Sequence, residues 1–197
     1  MQYSLRYLVR LDNEERLKPQ QVRQISSEFG EMAKRFAVSI KNLRISELAI
    51  EFDLFANELD RKTRAIEALV SKYGQLLSER NLSEEIVVSR DKREIMKVVV
   101  ELFNEQRYWE CHEVMEFIWR KEKIATEKDL QNGVILAVSA LVHIQKGEDD
   151  VCFGMIPRTL EKLARWKNRD YYGLDVDSLG NYLEDIIATH DIKFQKI

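Results

Sequence analysis

The apolar residues of this chain change their spacing near Asp91, and this change constrains the fold more than any other feature. Before Asp91, runs with apolar side chains at every second position, such as "YSLRYLVRL", alternate with helical stretches. After Asp91 the apolar residues recur at spacings of three and four throughout, which is the period of an α-helix. The sequence therefore predicts an α+β domain over residues 1–89 and an all-α helical bundle over residues 90–197.

The N-terminal half has strand and helix patterns in the order β-α-β-β-α-β. A strand over residues 3–11 precedes a helix that includes residues 22–36. "AVSIKNLRI" and "ELAIEFDLFA" then predict a hairpin, in which Asn42 marks a bulge or the turn. A second helix starts near Asn57 as N-cap and carries residues 76–77 on its apolar face, and "EEIVV" is the last strand. This order predicts a ferredoxin-like βαββαβ fold.

The C-terminal half reads as successive helices with short breaks. One helix ends near Asn104, and "YWECHEVMEFIWR" forms the next. Thr126 is expected to cap a third helix, with Asp129 as its capping-box partner. This helix is apolar on nearly every face, which predicts a central position in the bundle. Gly147 follows it, where a residue with left-handed backbone conformation is expected to end the helix. Two more helices follow, and Pro157 predicts a kink or a late start in the first of them.

Composition excludes several classes of protein. The net charge is −3 and neither half has a basic excess, so we expect no nucleic-acid partner. No apolar run reaches the ~20 residues that span a bilayer, so we expect no membrane partner. The two cysteines, Cys111 and Cys152, lie in apolar helical context, which favours packing roles and a reducing, cytoplasmic location.

The second helix of the bundle carries the candidate site. Trp109, His112, Glu113 and Glu116 lie at i, i+3, i+4 and i+7 and therefore share one face. A helix apolar on its other sides is expected to be mostly buried, and a buried carboxylate must be protonated, paired or metal-bound. The predicted polar site comprises His112, Glu113, Glu116, His143 and Arg158, and its predicted walls are Tyr108, Trp109 and Trp119.

Several interpretations of this site stay open. His112, Glu116 and His143 are candidate ligands of a divalent metal. The same residues, with Arg158 or Arg120, can also form a buried structural network. A third interpretation is a pocket for a small molecule, or a hydrolase active site that uses His112 with Glu113 or Glu116. A further alternative is a structural or interaction module that assembles as a homodimer.

One helical face of the C-terminal half carries a stripe of basic residues. Arg158, Lys162, Arg165 and Arg169 fall on one helical face and can contact phosphates. A solvated face is the more ordinary interpretation of such a stripe, and neighbouring acidic residues weaken its field.

The motif resembles a known family. "NGVI", "ALVHIQKG" and "IPRTLEKL" follow the motif residues in the order that is typical of the domain-of-unknown-function family 309, over about residues 95–165. The motif residues that carry the resemblance are Phe103, Asn104, Tyr108, His112, Glu113, Glu116 and Trp119. The resemblance implies an all-α fold and the place of the site, and it implies no reaction.

Overall fold

A computed structural model describes residues 4–84, 91–190 and 192–197 of the chain. These residues form two compact units, one from the N-terminal part of the chain and one from most of the remainder. The first unit contains a sheet with helices and the second is mainly helical, so the predicted α+β class is confirmed. The predicted domain boundary at residues 89 and 90 lies outside the described residues and stays a prediction.

The N-terminal unit is a four-stranded antiparallel sheet with two long helices. The strands lie in the order β2-β3-β1-β4, and every neighbouring pair is antiparallel. The elements in chain order are β1 (Leu5–Asp12), α1 (Val22–Phe36), β2 (Ser39–Ile45), β3 (Ala49–Ala56), α2 (Leu59–Tyr73) and β4 (Leu76–Asn81).

The alternation of apolar residues in β1 gives the strand one buried face, as predicted. Val9 and Leu11 are buried in the core of the unit. Val9 is paired with Phe52 of β3, and the Phe52 ring meets Phe29 of α1 edge to face at 5.1 Å. Paired residues of antiparallel strands point to the same side, so the apolar positions of both strands face the helices together.

The alternate positions of β3 carry the buried acids Glu51 and Asp53, and arginines of the neighbouring strands β2 and β1 pair with them. The Arg44 guanidinium donates to Glu51 Oε1 at 2.6 Å and to Asp53 Oδ1 at 3.2 Å. Arg6 donates to Asp53 Oδ2 at 2.6 Å. Buried charges require such pairing, because an isolated one would cost several kcal/mol.

Two details of the predicted second helix are wrong. Residues 76–77 belong to β4 and not to α2, because Gly74 ends the helix at φ 144°. A Cβ atom at residue 74 would lie only 2.3 Å from the Asp12 carbonyl oxygen, so glycine is required there. The N-cap is Glu58, whereas the Asn57 side chain accepts a hydrogen bond from the Ser4 N–H. The predicted strand "EEIVV" falls mainly outside the described residues.

The irregularity at Asn42 is confirmed as a bulge. Asn42 has φ 53°, and the pairing of β2 with β3 shifts register between Lys41 and Arg44. Asparagine is among the few residues that adopt left-handed backbone readily. Its side chain donates to Asp53 Oδ2 at 2.9 Å, which fixes the bulge to the neighbouring strand.

The C-terminal unit packs its helices around one apolar cluster. The helices are α3 (Lys92–Asn104), α4 (Tyr108–Lys121), α5 (Ala125–Gln145), α6 (Asp149–Leu163) and α7 (Val176–Thr189), and a short hairpin consists of β5 (Asp170–Tyr171) and β6 (Leu174–Asp175). The predicted end of α3 and the left-handed Gly147 (φ 68°) after α5 are confirmed. None of the helices among the described residues has the length and apolar character needed to cross a membrane.

Other local predictions for this unit need correction. α5 begins at Ala125, before Thr126, and Asp129 pairs with Lys162 and Arg165 of the next helical segment instead of forming a capping box. α6 begins at Asp149 and contains Pro157, so a late start is wrong. Its first turn is already rich in acidic side chains, which stabilise a helix N-terminus.

The hairpin between α6 and α7 was not predicted. Tyr172 and Gly173 form its turn with φ 54° and 92°. Two successive residues with positive φ suit the right-handed twist of a two-residue hairpin. Tyr171 is buried by this turn, and it becomes part of a polar network described below.

Candidate functional site

α4 has an apolar inner face. Tyr108, Cys111, Met115 and Ile118 recur at helical spacing and are buried in the core of the unit. Tyr108, predicted as a pocket wall, lies in this core with its ring 5.2 Å from that of Phe103. The inner face therefore fixes α4 and leaves any chemistry to the opposite side.

The outer face of α4 carries the predicted polar residues. Trp109, His112, Glu113 and Glu116 are each partly buried, and we call this set the α4 site. The expected burial of the carboxylates is not met at Glu116, whose side chain is 36% exposed. Trp109 also packs against the apolar cluster, whereas Glu116 at the other end of the α4 site keeps access to solvent.

The well-buried carboxylate of α4 belongs to a residue outside the predicted polar site. Glu110 is buried, and Arg107 donates to its two oxygens at 2.8 and 3.0 Å. Burial alone would lower the pKa of Arg107, but the hydrogen bonds to Glu110 raise it. The i, i+3 spacing of these residues is the sequence signal that would have found this pair.

His112 has the most unusual environment of the α4 site. Its ring stacks on Trp109 with centroids 5.7 Å apart and planes at 7°. Its Nδ1 is buried and has no hydrogen-bond partner among the described residues. Its Nε2 lies 4.0 Å from Glu116 Oε1, beyond hydrogen-bond reach.

The charge state of His112 follows from this environment. Burial lowers the pKa of His112 below its ordinary value, while the negative charges of Glu116 and Glu113 act against this shift. The net direction is down, so the ring is neutral at pH 7. A neutral ring has one nitrogen that accepts a hydrogen bond and one that donates.

Cations of the protein itself already lie against this side of the bundle. Arg120 donates to Glu116 Oε2 at 2.6 Å, and its side chain is 69% exposed. Lys128 Nζ lies 4.9 Å from the centroid of Trp119, and Lys121 Nζ lies over the Phe117 ring. Carboxylates and aromatic faces on this surface therefore attract positive groups.

His143 and Arg158 are engaged elsewhere or exposed. His143 Nδ1 lies 2.5 Å from Glu148 Oε2. Arg158 lies exposed on α6. The hydrogen bonds and ion pairs between described residues include none that joins either residue to His112 or Glu116.

The described residues contain no preformed metal centre. No group of three or more His, Cys, Asp or Glu side chains there is placed to hold a metal ion. His112 and Glu116 are neighbours on one helix, and the third predicted ligand, His143, pairs with Glu148.

The basic stripe is partly neutralised. Lys162 Nζ lies 2.5 Å from one oxygen of Asp129, and Arg165 donates to the other at 2.9 Å. The hydrogen bond from Lys162 lowers the pKa of Asp129, so this acid is ionised at pH 7. Arg169 lies over the Trp166 ring at 5.8 Å. Three of the four basic side chains of the stripe therefore already contact an acidic or aromatic residue of the same unit.

A second polar cluster was missed by the sequence analysis. Lys92 Nζ lies 2.7 Å from Glu122 Oε2 and 2.6 Å from Glu127 Oε2. Gln131 donates to Glu122 Oε2 at 3.2 Å and to the Tyr171 hydroxyl at 2.7 Å. Tyr171 in turn donates to Glu127 Oε2 at 3.0 Å. We call these five residues the Lys92 network.

Hydrogen bonds within the Lys92 network keep its acidic and basic groups charged despite their partial burial. Burial alone would raise the pKa of Glu122, but hydrogen bonds from Lys92 and from the Ile124 and Lys123 N–H groups bring it to about 2. Burial would lower the pKa of Lys92, and its two carboxylate partners raise it instead. The network joins residues that are far apart in sequence, so no local spacing could have revealed it.

The cysteines are packing residues, as predicted. Both thiols are free and buried. Burial raises the pKa of Cys111, and it raises that of Cys152 to about 12. Neither thiol is ionised at pH 7, so neither is an activated nucleophile.

Comparison with known proteins gives one match. Residues 96–155, from α3 into α6, match the family described as Domain of unknown function (DUF309). This match includes the α4 site and confirms the resemblance noted for the C-terminal half. Neither the curated proteins nor the solved structures contain a match to this chain.

Proposed function

We propose that the C-terminal unit is a binding module whose α4 site takes a small cationic molecule, an amine or a guanidine. The observation that carries this proposal is the buried Nδ1 of His112, which has no hydrogen-bond partner among the described residues. A buried polar atom without a partner costs about 1–3 kcal/mol. A ligand that donates to this nitrogen recovers that free energy.

The ligand class follows from the donors and acceptors of the α4 site. His112 is neutral because burial lowers its pKa, so one ring nitrogen is an acceptor. Glu113 and Glu116 add carboxylate acceptors. With Arg120 included, two carboxylates and one guanidinium give these side chains a formal net charge of −1. Acceptors with negative charge select a donor-rich cation.

The protein's own cations support this choice. Arg120 bonds to Glu116, and Lys128 lies over Trp119. Both are side chains on a solvent-accessible surface, and such exposed pairs are worth only about 0–1 kcal/mol. A ligand amine can therefore replace Arg120 at Glu116 at low cost.

The hydrolase alternative has less support. Catalysis by His112 needs a carboxylate that orients its ring through a hydrogen bond, and the separation from Glu116 Oε1 is 4.0 Å. Binding needs only a rotation of the partly buried side chains of Trp109 or His112, whereas proton transfer needs a fixed geometry.

The proposal extends to the other predictions that concern the whole chain. We propose a cytoplasmic location, in keeping with two buried free thiols. We also propose a ferredoxin-like plan for the N-terminal unit, supported by the strand order β2-β3-β1-β4 with antiparallel neighbours.

The test is a titration of protein labelled with ¹⁵N in its histidine rings. The probes are agmatine and putrescine as cations, zinc chloride as a metal, and sodium acetate as an anion control. We expect agmatine or putrescine to shift the His112 ring signals and to leave those of His190 unchanged, and we expect Glu116→Gln to abolish the shift. A response to zinc alone would favour a metal site, and no response to any probe would favour a purely structural role.

A further inference from the structure

Positive charge collects at the C-terminal end of α4. Arg120 donates to Glu116 Oε2 at 2.6 Å, and its side chain is 69% exposed. Lys121 of α4 and Lys128 of α5 each hold their ammonium group over an aromatic ring, at 3.5 and 4.9 Å from its centroid. The ion pairs between described residues include no carboxylate partner for either lysine. This end of α4 therefore has more cations than acids to pair with them.

Glu116 lies between these cations and His112. Its Oε2 bonds to Arg120, and its Oε1 lies 4.0 Å from the Nε2 of His112. His112 lies about 12 Å from Arg120 along the helix axis, since each residue advances a helix by about 1.5 Å. The surface of α4 thus has hydrogen-bond acceptors at one end and donors at the other, with one carboxylate between them.

We propose that the α4 site takes a zwitterion, an amino or guanidino carboxylic acid, whose cationic group binds His112 and Glu116 and whose carboxylate binds Arg120. This inference rests on the proposed function and narrows its ligand class. The amine or guanidine remains the group that His112 and Glu116 recognise, and the new element is a carboxylate at the other end of the ligand.

The pairing of charges favours a zwitterion over a simple cation. A simple cation that displaces Arg120 from Glu116 leaves the guanidinium of Arg120 without its carboxylate. A zwitterion enters the same ion pair and leaves neither charge unpaired, because its cation takes Glu116 while its carboxylate takes Arg120. Lys121 and Lys128, for which the described residues offer no carboxylate, add attraction for the same group of the ligand.

Arg120 suits this role by its chemistry and by its exposure. A guanidinium presents two parallel N–H groups that match the two oxygens of a carboxylate. The contact with Glu116 uses Nη2, and the side chain is 69% exposed. Arg120 therefore turns from Glu116 towards a ligand without disturbing the core of the unit.

The test compares three guanidines that share one end and differ at the other. 4-Guanidinobutanoate ends in a carboxylate, butylguanidinium ends in a methyl group, and agmatine ends in an ammonium group. Each is titrated into protein labelled with ¹⁵N in its histidine rings, and the shift of the His112 signals gives a Kd. The compounds are of nearly equal length, so their Kd values differ through the terminal charge.

We expect 4-guanidinobutanoate to bind about threefold to tenfold more tightly than butylguanidinium, and agmatine to bind more weakly than either. The advantage of the carboxylate should shrink as salt rises, because Arg120 is exposed to solvent. Equal Kd values for the carboxylate and methyl compounds, or tightest binding by agmatine, would overturn this inference and leave the proposed function intact. Absence of binding by all three compounds would overturn both.

Substitutions assign the ligand carboxylate to Arg120. Arg120→Gln should remove most of the difference between the carboxylate and methyl compounds, whereas Glu116→Gln should abolish the binding of all three. The matched control is Lys97→Gln, which removes an exposed cation from an i, i+4 pair on α3 and should keep the difference. A carboxylate advantage that is unchanged in Arg120→Gln would contradict the role proposed for Arg120.

Discussion

The ammonium nitrogen of Lys92 lies 2.7 Å from a carboxylate oxygen of Glu122 and thereby ties the start of α3 to the turn after α4. The Glu122 side chain is 6% exposed, and Gln131 beside it is fully buried. The Lys92 network therefore has the burial and pairing that the sequence predicted for the acidic residues of α4. We therefore expect substitutions in this network to lower stability more than substitutions in the α4 site.

The first prediction concerns Lys92. Lys92→Met strands the carboxylates of Glu122 and Glu127, whose side chains are 6% and 14% exposed, so we expect a loss of about 2–4 kcal/mol in the free energy of unfolding at pH 7. Urea denaturation followed by circular dichroism measures it. The control is Lys97→Met, because Lys97 is an exposed residue with a 4.0 Å ion pair to Glu101 and should cost under about 0.5 kcal/mol. Equal effects of the two substitutions would show that the network is not a source of stability.

The second prediction concerns pH. The pKa of Glu122 is about 2 in the folded state, against an ordinary value of 4.5. A lowered folded pKa stabilises the protein above the ordinary value, and this contribution disappears as pH falls from 4.5 towards 2. Glu122→Gln should therefore flatten the stability curve over this window. Urea titrations of the variant and of Glu101→Gln, an exposed control, check it; parallel curves for wild type and Glu122→Gln would contradict it.

The sequence predicted what local periodicity controls and missed what depends on distant contacts. The spacing in β1, the bulge at Asn42 and the faces of α4 all follow from residues within a few positions of one another. The Lys92 network joins α3, α5 and β5, and no local pattern connects Lys92 with Tyr171. The end of α2 depends on Gly74 and on its close approach to Asp12. A helical pattern that continues past such a glycine is misleading for that reason.

The third prediction concerns Glu116. Sequence reasoning expected this residue in a buried network, but its side chain is 36% exposed and pairs with Arg120 on the surface. Glu116→Gln should cost under about 0.5 kcal/mol. The matched control is Glu161→Gln, since Glu161 forms an exposed i, i+4 pair with Arg165. Both variants should unfold at the same urea concentration as wild type within error, and only Glu116→Gln should lose amine binding. A cost above about 2 kcal/mol would indicate a structural ion network.

The fourth prediction concerns modularity. The helices of the C-terminal unit share one apolar cluster of their own. A fragment of residues 90–197 should therefore be soluble and helical, with a cooperative thermal transition. Far-ultraviolet circular dichroism and a melting curve measure this. The same fragment with Met115→Asp, which places a charge in that cluster, is the unfolded control. A wild-type fragment that resembles this control would mean that the two units do not fold separately.

The last prediction concerns His112 and separates a binding site from a structural one. His112→Phe removes the buried Nδ1 that has no partner among the described residues and keeps a ring against Trp109. We expect stability at pH 7 to stay equal or to rise by up to about 1 kcal/mol, because no hydrogen bond is lost.

The pH dependence gives the independent readout. Burial holds the folded pKa of His112 below its ordinary 6.5, so the unfolded state binds the proton more strongly and wild-type stability falls as pH drops through 6.5. His112→Phe should remove this part of the fall, whereas His190→Gln, at an exposed position, should keep it. Urea unfolding at pH 7.5 and at pH 5.5 measures both. If His112→Phe lost more than about 2 kcal/mol at pH 7.5, His112 would be a structural residue, and the unpaired nitrogen would not be the feature that makes α4 a binding site.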